Sequence, residues 1–150
     1  MPFRYLSDES EAAFVCIGEG QVSQDDIRAC RETIDAERRE TPVHLVLDLR
    51  AVDHLAADAD TVRAVAERTS LDGLRSVSVV AGGLAVFGLG RMLMTLCEMR
   101  PDANGDEAPV PVSVFRDMAA AKDWIATVAG RVAGCGEGLS RPEGAGWIER

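Results

Sequence analysis

Asp48, Asp53, His54 and Asp58 form the densest concentration of reactive side chains in the sequence, three carboxylates and an imidazole within one short stretch. A histidine beside carboxylates can titrate near neutral pH or ligate a metal. The spacing does not favour either use. One histidine among scattered aspartates lacks a ligand pattern, and Asp48, set in an apolar run, suits a structural role as acceptor for loop or helix N–H groups. His44 sits inside the same run, where a hydrogen-bonded imidazole is expected. Neither histidine has a sequence-marked serine or cysteine nucleophile beside it. The sequence therefore calls for no catalytic residue, cofactor or metal, and solvated or structural roles are expected for this cluster.

The elements that must position these residues lie in Val43 to Asp60. Val43, Leu45, Val46, Leu47 and Leu49 make a nearly continuous apolar run, the signature of a strand covered on both faces in a parallel sheet. A loop from Ala51 to Asp58 is expected next. It leads into a helix on which Val62, Val65, Ala66 and Thr69 share one side. The loop would lie at the carboxyl end of a central strand, the edge where open α/β sheets usually bind and regulate.

The rest of the chain alternates in the same way. Phe3 to Leu6 and Ala13 to Ile17 read as an antiparallel hairpin, with Gly18-Glu19-Gly20 ending the second strand. Ser23 with Asp26 resembles a capping box opening a helix on which Ile27, Cys30 and Ile34 form an apolar stripe. Ser76 to Ala81 and Pro111 to Phe115 are further strands, and Asp117 is the expected N-cap of a closing helix with Met118, Ala121, Trp124, Ile125 and Val128 on one face. This is an α/β fold: a mixed, mainly parallel five-stranded sheet covered by about four helices. The domain is expected over 1–129, followed by a glycine-rich flexible tail over 130–150.

Gly82-Gly83, before the third helix, favours a tight turn over an anion cradle, because no phosphate-binding fingerprint surrounds it. On the helix itself, Ala85, Leu89, Met92, Leu93 and Leu96 gather on one face at 100° per residue and are the expected core. Phe87 and Met94 project away from that face, seven residues apart with Gly90 between them. They suggest a dimer contact, a groove for a protein partner, or the lining of a small apolar pocket.

The chain of 150 residues is of single-domain size, with 47% hydrophobic and 27% charged residues. A formal charge of −9 argues against nucleic acid as a partner. No window is apolar enough to span a membrane, and the polar N-terminus is unlike a signal peptide, so a cytoplasmic protein is expected. Cys16, Cys30, Cys97 and Cys135 lack metal or dithiol spacing, and the first three are expected to face inward as small apolar residues.

Three strings, GEGQVSQDDI before the first helix, LVLDLRAVDHL on the central strand and FRDMAAAKDWI at the close, resemble in order and spacing the STAS fold of anti-sigma factor antagonists. The likeness is to the SpoIIAA-like branch, related to CRAL-TRIO lipid-transfer-like domains, and covers about Phe3 to Ala129. The resemblance implies a non-enzymatic regulatory module. In those antagonists an Asp-Ser pair after the central strand carries the phosphorylated serine. Here Ala56-Ala57 falls at that pair, and the next hydroxyl, on Thr61, lies about one helical turn on. The expected function is a STAS-like protein-interaction module without the phosphorylation switch, working as a homodimer or with a protein partner. Its contact surface would comprise Asp53, His54, Ala57, Asp58, Thr61, Phe87, Gly90 and Met94. The alternative is a binder of a small apolar or lipid-like ligand; a hydrolase-type enzyme is the weakest option.

Overall fold

The computed structural model describes residues 2–40, 42–67, 73–99 and 110–132. The tail expected from residue 130 lies mostly outside these, as does Cys135. Strands β1 (Phe3–Asp8), β2 (Ala13–Val22), β3 (Val43–Leu55), β4 (Leu74–Ala81) and β5 (Val112–Phe115) form one sheet in that order. The β1–β2 hairpin is antiparallel and every other pairing is parallel. Four helices are described: α1 (Gln24–Glu40), α2 (Ala59–Ala66), α3 (Leu84–Glu98) and α4 (Met118–Val132). The expected α/β architecture is the one observed.

Strand order explains the layers. From β2 to β5 each parallel strand is laid down beside the last in the same direction, so right-handed crossovers place α1, α2 and α3 on one face. Helix α4, which follows the last strand, is left to cover the other. Two apolar clusters result. The larger holds Leu45, Leu49, Val77 and Val79 against Cys30, Val62, Val86 and Leu93. The smaller holds Val15, Ile17, Val46 and Val80 against Ala121 and Ile125. Val46 and Val80 are completely buried, and each such side chain contributes roughly 1.5 to 3 kcal/mol.

The caps form as their spacing required. Ser23 Oγ accepts from Asp26 N at 3.1 Å while Asp26 accepts from Ser23 N at 2.9 Å, a reciprocal box at the start of α1. Asp117 accepts from Ala120 N at 2.8 Å at the start of α4.

Beneath α4 the sheet carries polar residues. His44 Nδ1 and Ser76 Oγ, paired across β3 and β4, lie 2.8 Å apart and fully buried. Ser78 Oγ, two residues along, is buried without a hydrogen-bond partner. Burial, with Arg75 adding repulsion, holds the His44 imidazole below its ordinary pKa. A depressed histidine contributes stability that is fully present above its unfolded pKa, about 6.5, and lost as pH falls toward the lower folded value. Stability is therefore expected to decline below about pH 6.5, and the decline should be absent in His44→Gln, as urea denaturation at a series of pH values would record.

Two boundaries differ from expectation. Strand β3 does not stop near Leu49 but runs to Leu55, and β2 passes through Gly18-Glu19-Gly20 to Val22. The added residues pair with each other, Glu19 with Ala51 and Val22 with Leu55, across two register shifts. Gly20 supplies the positive φ, 68°, that the second irregularity requires. Beyond the last β3–β4 pair, Leu49 with Ala81, this two-stranded ribbon continues alone.

Candidate functional site

Asp48, Asp53, His54 and Asp58 do not converge on one site. Asp48 is buried on β3 and accepts from Arg50 N at 3.2 Å, Arg50 Nε at 2.9 Å and the guanidinium terminus at 2.8 Å. Burial alone would raise its carboxyl, but the Arg50 contacts and the more distant Arg4 hold it below the ordinary carboxylate range. Asp53 and His54 are exposed on the ribbon, at its second register shift. Among the described residues no three His, Cys, Asp or Glu side chains converge as metal ligands.

Asp58 is the N-cap of α2. It accepts from Thr61 N at 2.9 Å and from Thr61 Oγ1 at 3.0 Å, while the Thr61 hydroxyl faces the Asp58 backbone N–H and Gln24 Nε2. These hydrogen bonds pull the exposed Asp58 carboxyl down. Gln24 also donates to the Ala56 carbonyl, tying the start of α1 to the β3–α2 connection. Thr61 is therefore occupied in shaping a helix end. Ala56 and Ala57 precede this cap.

Helix α3 presents a different face from the one its hydrophobic count selects. Val86, Gly90, Leu93 and Cys97 are buried, and of the expected face, Ala85, Leu89, Met92, Leu93 and Leu96, only Leu93 is among them. Ala85 is exposed, while Leu89, Met92 and Leu96 are half-buried at the flanks. The cause is Gly90. A Cβ there would lie 2.8 Å from Val114 Cγ2 and 3.5 Å from Val79 Cγ1, so the helix rests its glycine directly on β4 and β5. Phe87 and Met94 are half-buried and pack on the main core, and the Arg116 guanidinium stands 4.9 Å from the Phe87 ring centre. The exposed large apolar side chains among the described residues are Leu84 and Met99, at opposite ends of the helix, roughly 22 Å apart at 1.5 Å per residue.

The feature that sequence spacing did not reveal is a half-enclosed apolar cavity of about 140 Å³ between the sheet and α1, α2 and α3. Leu45, Leu47, Leu49, Val77 and Val79 form its floor, and Ile27, Cys30, Val62, Leu89 and Leu93 form its walls. Ala57, Thr61 and Gly90 from the expected surface also line it; Asp53, His54, Asp58, Phe87 and Met94 do not. No polar atom faces it, so even Arg31 and Thr61 contribute only carbon. Apolar runs on adjacent strands predict a covered face, but a gap within that cover depends on how three helices meet, which spacing does not encode.

No protein-family model matches the chain, and no curated protein matches it. Among solved structures it is similar to an uncharacterized protein of the DUF3478 family with a SpoIIAA-like fold from Shewanella loihica PV-4. The two share 14% identity and a TM-score of 0.55, over 82% of this chain and 91% of that one. The likeness defines the class: this chain has a SpoIIAA-like, STAS-type fold.

Proposed function

We propose that this STAS-like module is non-enzymatic and that its function is to hold a small apolar ligand in the cavity beneath α1, α2 and α3. The observation that carries this is the lining. A space of about 140 Å³ with no polar atom facing it excludes ordered water, which needs two to four polar partners, and suits hydrocarbon. An engineered apolar cavity of about 150 Å³ takes up benzene. The position adds support, because the wall includes Ala57 and Thr61 at the carboxyl edge of the central strand, where α/β sheets commonly bind ligands.

Benzene followed by methyl NMR tests the proposal. Saturable shifts are expected at Val77, Val79 and Leu93, and Ala57→Trp, which places an indole in the wall, should weaken them at least about tenfold, roughly 1.4 kcal/mol. Shifts scattered over the surface, or unchanged in the variant, would remove the reading. A second reading is contact with a protein partner or a second copy, favoured by the exposed Leu84 and Met99 and by the ribbon carrying Asp53 and His54. Light scattering at rising concentration, compared with Leu84→Glu, separates it from the first.

A further inference from the structure

Among the described residues the sheet has two outer edges, and they are not built alike. β5 is 4 residues long and preceded by Pro111, a short edge of the kind that resists further pairing. β1 is 6 residues long, free of proline, and in unbroken register with β2 from Phe3 with Gly18 to Asp8 with Ala13. Its outer side is a row of backbone donors and acceptors, a template for another strand. We propose that β1 is a homodimer interface, pairing antiparallel with β1 of a second copy so that the two sheets become one across a two-fold axis. The inference is independent of the cavity, and it uses none of Leu84, Met99, Asp53 and His54.

The backbone fixes which residues face outward. Glu19 N donates to Pro2 O at 2.9 Å, so Pro2 and Glu19 form a hydrogen-bonded pair, and by antiparallel alternation so do Arg4 with Ile17, Leu6 with Val15 and Asp8 with Ala13. The N–H and C=O groups of Phe3, Tyr5 and Ser7 are left pointing away from β2. A second copy satisfies them only in a register that sets odd-numbered residues opposite odd-numbered ones. With Leu6 on the two-fold axis, Tyr5 stands opposite Ser7 of the second copy and exchanges both backbone bonds with it, and symmetry repeats the exchange.

Side-chain charge selects this register from those the backbone allows. Arg4, Leu6 and Asp8 share the sheet face that carries Val15 and Ile17. An axis through Leu6 sets Leu6 against its own copy and each Arg4 against the other chain's Asp8, an apolar pair with an ion pair on either side. An axis through Tyr5 sets Arg4 against Leu6, and one through Ser7 sets Asp8 against Leu6, so both leave a charge facing an apolar residue. Both charged groups have capacity to spare. Arg4 touches Glu19 through Nη2 at 2.6 Å, and its side chain is 57% exposed. Asp8 accepts from Ser10 N, Ser10 Oγ and Glu11 N, all through Oδ1, which leaves Oδ2 for a cation. Exposed ion pairs set register and reject wrong partners more than they add affinity, so the strand bonds and the Leu6 contact hold the dimer.

Analytical ultracentrifugation of the full chain, with amide hydrogen exchange followed by NMR over the same concentrations, tests the pairing. A monomer–dimer equilibrium is expected below about 1 mM, with the Tyr5 and Ser7 amides slowing as the dimer forms, while those of Arg4, Leu6 and Asp8, already bonded to β2, change little. Both readouts use the unaltered sequence and so do not depend on a variant folding. Ser7→Pro removes an outward N–H and no bond to β2, so it should weaken dimerisation at least about tenfold with the circular dichroism spectrum unchanged. Arg4→Glu, which sets like charges opposite one another, should weaken it as well. In a Cys135→Ser background, Leu6→Cys should oxidise to a disulfide-linked dimer, because a pair on the axis has its Cα atoms about 4.5 Å apart. Ser7→Cys should not, since its symmetry mate lies beyond the roughly 7 Å limit. A chain that stays monomeric at about 1 mM would overturn the proposal. So would a dimer in which Tyr5 and Ser7 exchange as fast as in the monomer, and its loss in Leu84→Glu would move the contact to α3.

Discussion

Arg50→Ala is expected to lower stability at pH 7 by about 3 kcal/mol, and by clearly less at pH 4.5. Asp48 is only 4% exposed and accepts three hydrogen bonds from Arg50. Removing the guanidinium leaves a buried carboxylate facing no near cation, the situation in which breaking an ion pair costs about 3 to 5 kcal/mol. The lower end applies because the Arg50 side chain is 40% exposed and water can reach the vacated space. In the native chain the Asp48 pKa lies below its unfolded value, about 3.9, so its contribution is present above that pH and lost on acidification. Without the guanidinium, burial is opposed only by the residue-50 N–H and the more distant Arg4, so the folded pKa rises and protonation relieves part of the strain. The penalty must therefore shrink between pH 7 and pH 4.5. Urea denaturation of both chains at the two pH values decides the matter. An equal loss at both would show that Arg50 acts through packing and not through the Asp48 charge. In Asp48→Asn the same arginine substitution should cost less than about 1 kcal/mol, since no buried charge is left to strand.

The fold was legible where local signals agree with one another. The unbroken apolar run of β3, the Ser23 and Asp26 box and the alternation of strand and helix each point to the same α/β layering, and the structure follows them. The end of β3 was not legible, because Ala51 to Leu55 mixes acidic, imidazole and apolar residues. That is the composition of a loop, and equally of a ribbon solvated along both sides. Only its pairing with Glu19 to Val22, through a bulge that needs Gly20, makes it a strand. The candidate site was half legible. Ala57, Thr61 and Gly90 do line the cavity, but they were selected as surface. Ile27, Leu47 and Leu89 come from α1, β3 and α3, and no spacing rule brings them together. Contacts of that kind depend on register and on the rotation of a helix against a sheet. Both are set by tertiary packing.

Gly90→Leu puts that last point to the test and is expected to destabilise the chain by about 2 to 3 kcal/mol. Replacing a mid-helix glycine normally gains about 1 kcal/mol in helix propensity. Here the gain is outweighed, because the first added carbon already meets Val114 Cγ2 at 2.8 Å and Val114 Cβ at 3.2 Å. Val114 is stiff at χ1 and fixed on β5, so it cannot swing aside. Overpacking a filled contact typically costs 1 to 3 kcal/mol, roughly, and a leucine adds three further carbons directed at the sheet. Relief requires α3 to lift or to roll back toward the Ala85, Leu89 and Leu96 line favoured by its hydrophobic count. Either movement changes the cavity, which has Gly90, Leu89 and Leu93 in one wall. The variant should therefore lose stability and benzene affinity together, whereas Ala85→Leu, on the exposed side of the same helix, should change neither by more than about 0.5 kcal/mol. Adding Val114→Ala to Gly90→Leu opens the space the new side chain needs. Recovery of at least half the lost stability in that double variant would identify the glycine contact as the element that sets the helix. Additive losses would mean that α3 is held by its half-buried flanks, with Gly90 a passive neighbour.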